Sequence, residues 1–428
     1  MSDSIAAEKL SERDKKHLWH PLTQHKTSSE MLAIARAEGA LLFDEAGKEY
    51  VDGISSWYTC MYGHCNPYIL DRVKEQMQKL DQVVFSGFTH EPAVKLSEEL
   101  IKILPKNQEK LFFSDNGSTS TEIGIKMALQ YHHNKGQKRN ILLAFEEGFH
   151  GDTFGAMSVS SLSVYNGPFE DFFIEVERIP VPTKENIDNI LNQLEKRLRQ
   201  NNIAGFIYEP LVQGAAAMKM HDADGLDQIL ALLQQNEVLT IADEVMTGFG
   251  KTGRYFASDY LEHKPDIMCL SKALTAGLVP MGLTTCTEKV YMAFYSDDVA
   301  KGLFHGHTYT ANPLACTAAL AALELLQTDE IQQQIKNITL WHQQFDEKIK
   351  NHPKVGKTRQ TGIIYALDLN VETERYGNLR NKLFKHFMDE GVFLRPLGHT
   401  IYILAPFIST KEQMERIYEA IEKALELV

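Results

Sequence analysis

Cysteine is scarce in this chain of 428 residues. The five that occur are Cys60, Cys65, Cys269, Cys286 and Cys316. Their number is odd and no two of them form a CxxC pair, which argues against both a disulfide framework and a zinc ribbon. We therefore expect reduced thiols in a cytoplasmic protein.

Long apolar runs and an excess of basic residues are also missing. No run approaches the ~20 residues that a membrane span needs, and the N-terminus, MSDSIAAEKLSERDKK, is polar, helical in pattern and without the apolar core of a signal peptide. Lysine and arginine number 44 against 57 aspartates and glutamates, so the net charge is −13. This balance argues against nucleic acid or an anionic membrane as the main partner.

Two short apolar runs in the middle of the chain each end in a charged residue. VLTIAD ends at Asp243 and DIMCLSK ends at Lys272. Runs of this kind are typical of buried parallel strands, and ligands bind where the carboxyl ends of such strands emerge. A carboxylate and an amine at one rim suit pyridoxal phosphate (PLP), which needs a lysine for its aldehyde and an aspartate for its pyridine nitrogen. The alternative is a strand-end lysine and a helix-capping aspartate, and both are common.

Strands and helices alternate between Leu111 and Met281, which predicts one doubly wound parallel sheet. Within this region, Thr119 and Glu122 fit a capping box at the start of a helix that follows the turn Asn116-Gly117-Ser118. Free N–H groups at a helix start form an anion site suited to a phosphate. Taken by itself, however, this turn favours ordinary helix capping over a phosphate site. Composition changes after about residue 327, where amphipathic helices alternate with short strands. The last helix is predicted to begin with a capping box of Ser409 and Glu412.

We expect three parts: residues 1–65, an N-terminal segment that packs with a small domain; residues 66–327, the large cofactor-binding domain; and residues 328–428, the small α+β domain. The aromatic run around Trp57 and Tyr58 has neither helix nor strand period, so it favours a pocket or an interface over simple core packing. The pair His305 and His307 could bind a metal, but neither a cysteine pair nor a carboxylate lies near it in the sequence, so we expect no metal.

Several stretches together resemble one family. ADEVMTGFGKTGRYFA and PDIMCLSKALTAG are similar to the signature of class III PLP-dependent aminotransferases, which have fold type I: a large domain with a mostly parallel sheet flanked by helices, and a smaller α+β domain. HLWHPLTQ, VDGISSWYTCMYGHCNP, GFHGDTFGAMSVS and YEPLVQGAAAM resemble the biotin-pathway branch of that family. This resemblance covers nearly the whole chain. It implies transamination of 8-amino-7-oxononanoate to 7,8-diaminopelargonate, with S-adenosylmethionine as the expected amino donor.

The resemblance also implies roles for individual residues. Lys272 would be the catalytic lysine that bonds to PLP, and Asp243 would hold the pyridinium proton. The cofactor-binding set would be completed by Gly117, Ser118, Phe149, Val245, His307 and Thr308. The substrate-binding set would comprise Leu22, Trp57, Phe149, Gly306, Arg395 and Tyr402, and Arg395 would bind the substrate carboxylate through its two-pronged guanidinium group. Glu209 would lie near the cofactor. Thr308 matches a phosphate contact supplied by the partner subunit, which implies a homodimer with shared active sites.

The chain departs from the family pattern at four positions. Leu22 stands where an aromatic residue is usual, Phe149 where tyrosine is frequent, Lys251 where arginine is usual, and His307 where proline is common. Three of these positions concern substrate or donor recognition, so lysine remains open as the donor in place of S-adenosylmethionine. Two further functions also stay open: a class III aminotransferase for ω-amino acids or diamines, and an aminomutase that keeps nitrogen within one substrate.

Overall fold

The computed structural model describes residues 9–163, 166–371 and 377–428 of the chain. Its helices are α1 Leu10–His17, α2 Ser55–Tyr58, α3 Pro67–Met77, α4 Glu91–Ile103, α5 Gly117–Asn134, α6 Phe154–Val159, α7 Ile187–Leu198, α8 Ala223–Gln235, α9 Glu288–Met292, α10 Pro313–Leu326, α11 Asp329–Ile349, α12 Asn378–Asp389 and α13 Lys411–Ala424. Its strands are β1 Ile34–Glu38, β2 Leu41–Asp44, β3 Glu49–Asp52, β4 Gln108–Ser114, β5 Ile141–Phe145, β6 Val176–Ile179, β7 Ile203–Tyr208, β8 Val212–Gln213, β9 Lys219–Met220, β10 Leu239–Asp243, β11 Ile267–Leu270, β12 Gly282–Thr287, β13 Val355–Thr361, β14 Ile364–Leu369, β15 Val392–Phe393 and β16 Thr400–Ile403.

A seven-stranded sheet forms the centre of the chain, in the order β4-β12-β11-β10-β7-β5-β6. All strands but one run in the same direction, and the exception, β12, pairs antiparallel with both β11 and β4. Every residue of β5, β7, β10, β11 and β12 is buried, as expected for a sheet with layers on both faces. The prediction of a mostly parallel sheet is therefore confirmed, with one reversed strand that the sequence pattern did not reveal.

Helix α5 packs on β10, β11 and β12 and starts directly beside the carboxyl end of β4. Its buried residues include Ile123, Met127 and Tyr131, as the helical spacing predicts. The predicted capping box of Thr119 and Glu122 is wrong. Asn116 is the N-cap, and its side chain accepts the Thr119 N–H while the Thr119 hydroxyl accepts the Asn116 N–H. Asparagine is at least as good an N-cap as threonine, so the helix begins three residues earlier than predicted.

The described residues form three smaller sheets besides the large one, of which the smallest is the pair β8-β9. The order β1-β2-β3-β15 joins the N-terminal strands to a strand near the C-terminus, with Val51 opposite Val392 in a parallel pair. The order β13-β14-β16 lies wholly within residues 355–403. The last helix buries Met414, Ile417 and Ile421 as predicted, but its capping box uses Thr410 and Gln413, one residue later than the predicted pair. Among the described residues, no helix combines the length and apolarity that crossing a membrane requires.

Candidate active site

Asp243 and Lys272 lie at the same rim of the large sheet. Their strands, β10 and β11, are parallel neighbours, and Asp243 is in register with Cys269, three residues before Lys272. Asp243 is the last residue of its strand, and Lys272 begins the short 3₁₀ turn Lys272–Thr275 just beyond the end of β11. The structure thus brings the predicted carboxylate and amine to one place, where ligands bind in open α/β sheets.

The Asp243 carboxylate is buried and held from two sides. His150 approaches with Nδ1 at 2.7 Å from Oδ2, and the Val245 N–H donates to Oδ1 at 3.0 Å. The other ring nitrogen of His150, Nε2, is buried and has no hydrogen-bond partner in the described part of the chain. His150 is therefore a positioning residue for Asp243. Sequence reasoning did not identify this contact because it joins residues 93 positions apart; the only local signal is that His150 follows Phe149 on a glycine-containing turn.

Glu209, directly after the end of β7, is a second buried carboxyl group at this rim. It accepts backbone hydrogen bonds from Phe149 at 3.3 Å and from Gly214 at 3.1 Å. Burial raises its pKa to about 7; the nearby His150 opposes that shift and the charge of Asp243 adds to it. The group therefore changes protonation near neutral pH, and its charge then acts on the same region as Asp243.

Lys272 has a backbone conformation that is rare for a lysine, with φ of 51°. Removal from bulk water lowers the pKa of its amine, while the carboxylates of Asp243 and Glu209 act in the opposite direction. A lowered pKa favours the neutral amine, the form that attacks an aldehyde and accepts protons. Strained backbone of this kind costs of order 1–3 kcal/mol and concentrates at functional sites.

Lys251, the lysine at the family's arginine position, is fully buried. Its Nζ donates to the Gly248 carbonyl at 2.9 Å. Burial lowers its pKa to about 7, and repulsion from the neighbouring Lys272 contributes to the same shift. In this chain the side chain therefore reaches a backbone carbonyl near Lys272 and is not exposed to solvent.

Helix α5 supplies the anion-binding end of the site. Its first residues, Gly117 and Ser118, carry N–H groups at a helix N-terminus, where the backbone partial charge is positive. A Cβ at Gly117 would lie 2.8 Å from Cγ1 of Val245, so only glycine allows the helix start to approach the residue beside Asp243 this closely. The predicted phosphate turn and the predicted ring-packing residue therefore lie next to each other.

The predicted substrate residues Trp57, Arg395 and Tyr402 form one cluster with Tyr58. The Arg395 guanidinium lies 4.6 Å above the Trp57 ring, and the Tyr58 and Tyr402 rings are 5.9 Å apart. The Tyr58 ring in turn lies 5.2 Å from Nζ of Lys272. This cluster connects the arginine to the lysine through aromatic side chains. Tyr58 was not among the predicted site residues.

Further predicted residues lie on the surface of the single chain. Phe149 and Leu22 are exposed, and so are Gly306 and Thr308, on the loop between the 3₁₀ turn at residues 299–301 and helix α10. His307 on the same loop is partly buried, and its Nδ1 accepts the Tyr309 N–H at 3.2 Å. The single chain thus assembles Asp243, Lys272 and the arginine cluster, and leaves the residues of the 304–309 loop open to contact from outside.

The structure offers little for a metal ion. His305 Nδ1 lies 3.1 Å from Nζ of Lys126, a cation that would repel a metal. In the ranges 9–163, 166–371 and 377–428, no group of three histidine, cysteine, aspartate or glutamate side chains is placed to hold one. The residues present fit PLP instead. They comprise a buried, doubly held carboxylate for a pyridinium, an amine of lowered pKa and a helix N-terminus for a phosphate.

Comparison with known proteins decides the family. The model of the family described as "Aminotransferase class-III" matches residues 23–425. The chain belongs to the class III aminotransferases. Enzymes of this class depend on PLP, in agreement with the site, and the predicted fold type is confirmed.

Named relatives of this aminotransferase span nearly its whole length. A Synechococcus elongatus protein named adenosylmethionine-8-amino-7-oxononanoate aminotransferase is 42% identical and covers 96% of this chain and 98% of its own. The crystal structure of the Methanocaldococcus jannaschii protein of the same name superposes with a TM-score of 0.94 at 31% identity, covering 98% and 99% of the two chains. A PLP-bound amine transaminase from an uncultivated Pseudomonas species superposes with a TM-score of 0.89 at 26% identity, covering 96% and 98%.

Proposed function

We propose that this aminotransferase converts 8-amino-7-oxononanoate to 7,8-diaminopelargonate in biotin biosynthesis. The observation that carries the proposal is the 42% identity, over 96% of the chain, to a relative named for this keto-acid substrate. Further relatives of the same name from Geobacter sulfurreducens and Staphylococcus aureus are 35% and 33% identical over 98% of the chain. The cluster of Trp57 and Arg395 suits a long keto acid, because an apolar wall ends in a group that binds a carboxylate.

The residues of the cofactor half have defined roles in this proposal. When bound, PLP accepts the electron pair released at the substrate carbon. Asp243, fixed by His150 and Val245, holds the proton on the pyridine nitrogen. Gly117 and Ser118 would offer N–H groups to the phosphate, and Val245 and Phe149 would be the side chains that hold the ring.

Lys272 moves the proton in each half-reaction. Its amine is the base that takes a proton from the amino-bearing carbon and, as ammonium, the acid that returns one. Burial lowers the pKa of this amine, which favours the neutral form that accepts a proton. Arg395 binds the carboxylate of the keto acid, with Trp57 against its guanidinium group and Tyr402 in the same cluster. Leu22, exposed on the single chain, is also assigned to substrate binding.

In the 304–309 loop, Gly306 and Thr308 are exposed on the single chain, and His307 between them is partly buried. We propose that in a homodimer this loop completes the phosphate site of the partner subunit, so that each active site uses residues of both chains. The reduced state of all five cysteines is compatible with the cytoplasm, which we propose as the location.

We propose S-adenosylmethionine as the amino donor, because the named relatives have it in their names. Lysine is the second candidate donor. A half-reaction distinguishes them: the protein with bound cofactor is mixed with one donor at a time, and the loss of the visible absorbance of the cofactor is followed. We expect S-adenosylmethionine to bleach it; bleaching by lysine alone would reverse the assignment.

The competing function is that of an ω-amino acid or diamine aminotransferase. It is favoured by one structural observation, the similarity to an (S)-enantioselective ω-transaminase from Thermomicrobium roseum, with a TM-score of 0.91 at 26% identity. Turnover of 8-amino-7-oxononanoate is therefore compared with turnover of 4-aminobutyrate and ornithine at equal enzyme concentration. If the enzyme turned over 4-aminobutyrate or ornithine but did not turn over the keto acid, the proposal would be refuted and the competing function supported.

A further inference from the structure

We infer that Tyr58 is a positioning residue that connects the two halves of the active site: its ring supports the amine of Lys272, and its hydroxyl fixes Tyr402 beside Arg395. This inference deepens the proposed function, and its substrate-binding part depends on it. The lysine part depends only on the contacts of the chain itself.

The ring of Tyr58 lies under the lysine. Nζ of Lys272 is 5.2 Å from the ring centroid, within the range of a cation–π contact. The other charged groups that act on or near Lys272 are the carboxylates of Asp243 and Glu209 and the amine of Lys251. Tyr58 is the aromatic contact of this amine in the described part of the chain, and it favours the ammonium form.

Tyr58 also contacts the substrate cluster: its ring centroid lies 5.9 Å from that of Tyr402, with the two rings tilted by 58°. The contact between the Tyr58 and Tyr402 side chains affects the pKa of each hydroxyl, and the charge of Arg395 acts on both. Burial is the main cause that raises the pKa of Tyr58 well above its ordinary value and that of Tyr402 to about 12. Both hydroxyls therefore keep their protons at neutral pH and can donate hydrogen bonds.

The backbone holds Tyr58 in an unusual conformation. Ser55, Ser56, Trp57 and Tyr58 have φ of 50°, 47°, 73° and 74°, a run of four non-glycine residues in the left-handed region. Each such residue costs of order 1–3 kcal/mol, so the surrounding contacts must hold the turn in place. One contact is the Ser55 hydroxyl, which donates to the Leu404 carbonyl at 2.7 Å, just beyond strand β16 that carries Tyr402.

A glycine packs this turn against the lysine turn. Gly277 has φ of 77°, and a Cβ there would lie 2.6 Å from Sγ of Cys60 and 2.9 Å from Oγ1 of Thr59. The segment after Tyr58 therefore contacts the segment after Lys272 directly. The unusual backbone, the ring contact and the hydroxyl contact all point to the same side chain.

Two variants separate the ring from the hydroxyl. Tyr58→Phe retains the ring and removes the hydroxyl, whereas Tyr58→Leu removes both. Tyr62→Phe is the matched control, because Tyr62 is a buried tyrosine of the same segment whose hydroxyl has no hydrogen-bond partner among the described residues. Circular dichroism and thermal unfolding confirm that each variant is folded.

The lysine part is measured on the full-length chain without cofactor. The rate of acetylation of Lys272 by trace acetic anhydride is followed against pH by peptide mass spectrometry, since only the neutral amine reacts. Loss of a cation–π contact worth about 0.5–2 kcal/mol lowers the midpoint by about 0.4 to 1.5 pH units. We expect this shift in Tyr58→Leu and an unchanged midpoint in Tyr58→Phe and Tyr62→Phe. An unchanged or raised midpoint in Tyr58→Leu would overturn the ring role.

The hydroxyl part is measured on the enzyme with cofactor. Loss of one hydrogen bond between neutral groups predicts a rise in KM for the keto acid of about two- to tenfold in Tyr58→Phe, with kcat retained. If the wild-type enzyme is active and KM is unchanged in Tyr58→Phe, the role of the hydroxyl is refuted, and the role of the ring is not affected. If the wild-type enzyme does not turn over the keto acid, the proposed function fails, while the acetylation result still decides the role of the ring.

Discussion

The cofactor half and the substrate half of the active site are built in different ways. Asp243 ends a fully buried strand, and its two carboxylate oxygens are held by the buried His150 and by the N–H of the partly buried Val245. In contrast, Trp57 lies in the short left-handed turn α2 and Arg395 on an irregular segment after β15. They contact each other through the Trp57 ring, and Trp57 is 41% exposed. The residues of the reaction itself are therefore held by the sheet. The residues that select the substrate lie on turns and connecting segments, where sequence changes are tolerated more easily.

The largest expected effect comes from the cofactor half. Lys272→Ala should abolish turnover, with a loss of at least about 10²–10⁴-fold from proton transfer alone. The variant should also lose the visible absorbance of the bound cofactor after dialysis. Lys289→Ala, an exposed lysine paired with Asp266 at 3.6 Å, is the control and should retain both. Absorbance that survives dialysis of Lys272→Ala would show that another lysine holds the cofactor.

A large effect of a different kind is expected in the substrate half. Arg395→Ala should raise KM for the keto acid by about 30- to 5,000-fold, because loss of one partner of a desolvated charge pair costs ~2–5 kcal/mol. KM for the donor should change far less. Arg416→Ala, which removes an exposed ion pair with Glu49, should leave both constants unchanged. Equal rises in both KM values would contradict a specific carboxylate contact.

A smaller effect links the cofactor half to pH. The pKa of Glu209 is 4.5 in the unfolded chain and about 7 in the folded one. Folding favours the neutral form of Glu209. Its contribution to the free energy of unfolding is therefore fully present below pH 4.5 and is lost as pH rises through 7. The free energy of unfolding should fall by about 2–3 kcal/mol across this window.

Glu209→Gln tests this dependence because it cannot ionise. Urea unfolding at pH 5 and pH 7.5 should show a smaller decline in this variant than in the wild-type protein. Glu147→Gln, an exposed glutamate paired with Lys219, should behave as wild type. Parallel declines in all three proteins would mean that Glu209 does not cause the effect.

The smallest expected effect concerns the start of α5. Asn116→Ala removes one half of a capping box and should lower the free energy of unfolding by ~1 kcal/mol. Thr410→Ala removes the equivalent cap of α13 and should cost a similar amount. Only Asn116→Ala should also weaken cofactor retention, measured by dialysis. If both variants retained the cofactor equally well, the cap at Asn116 would have no role in phosphate binding.

The sequence predicts best what short runs of residues determine. Apolar runs ending at Asp243 and Lys272 predicted two parallel strands and the rim where both residues lie, and the structure has both. The caps were misplaced because Asn116 and Thr119, or Ser409 and Thr410, are both good N-caps, and the choice depends on backbone geometry.

Contacts between distant segments could not be predicted in this way. The direction of β12 depends on its neighbours β4 and β11. The hydrogen bond between His150 and Asp243 joins the loop after β5 to the end of β10. The left-handed run that includes Tyr58 contains no glycine to indicate it. The boundaries at residues 65 and 327 and the individual cofactor and substrate roles remain predictions.

At Lys272, the residue that would stabilise the fold most differs from the residue that the reaction requires, because the backbone there is left-handed. Glycine adopts φ of 51° without the penalty that every residue with a side chain incurs, so Lys272→Gly should give a more stable chain than Lys272→Ala. The residue with the least backbone strain at this position, glycine, would therefore give an inactive enzyme. Selection for stability alone would remove the lysine, and only the reaction keeps it there.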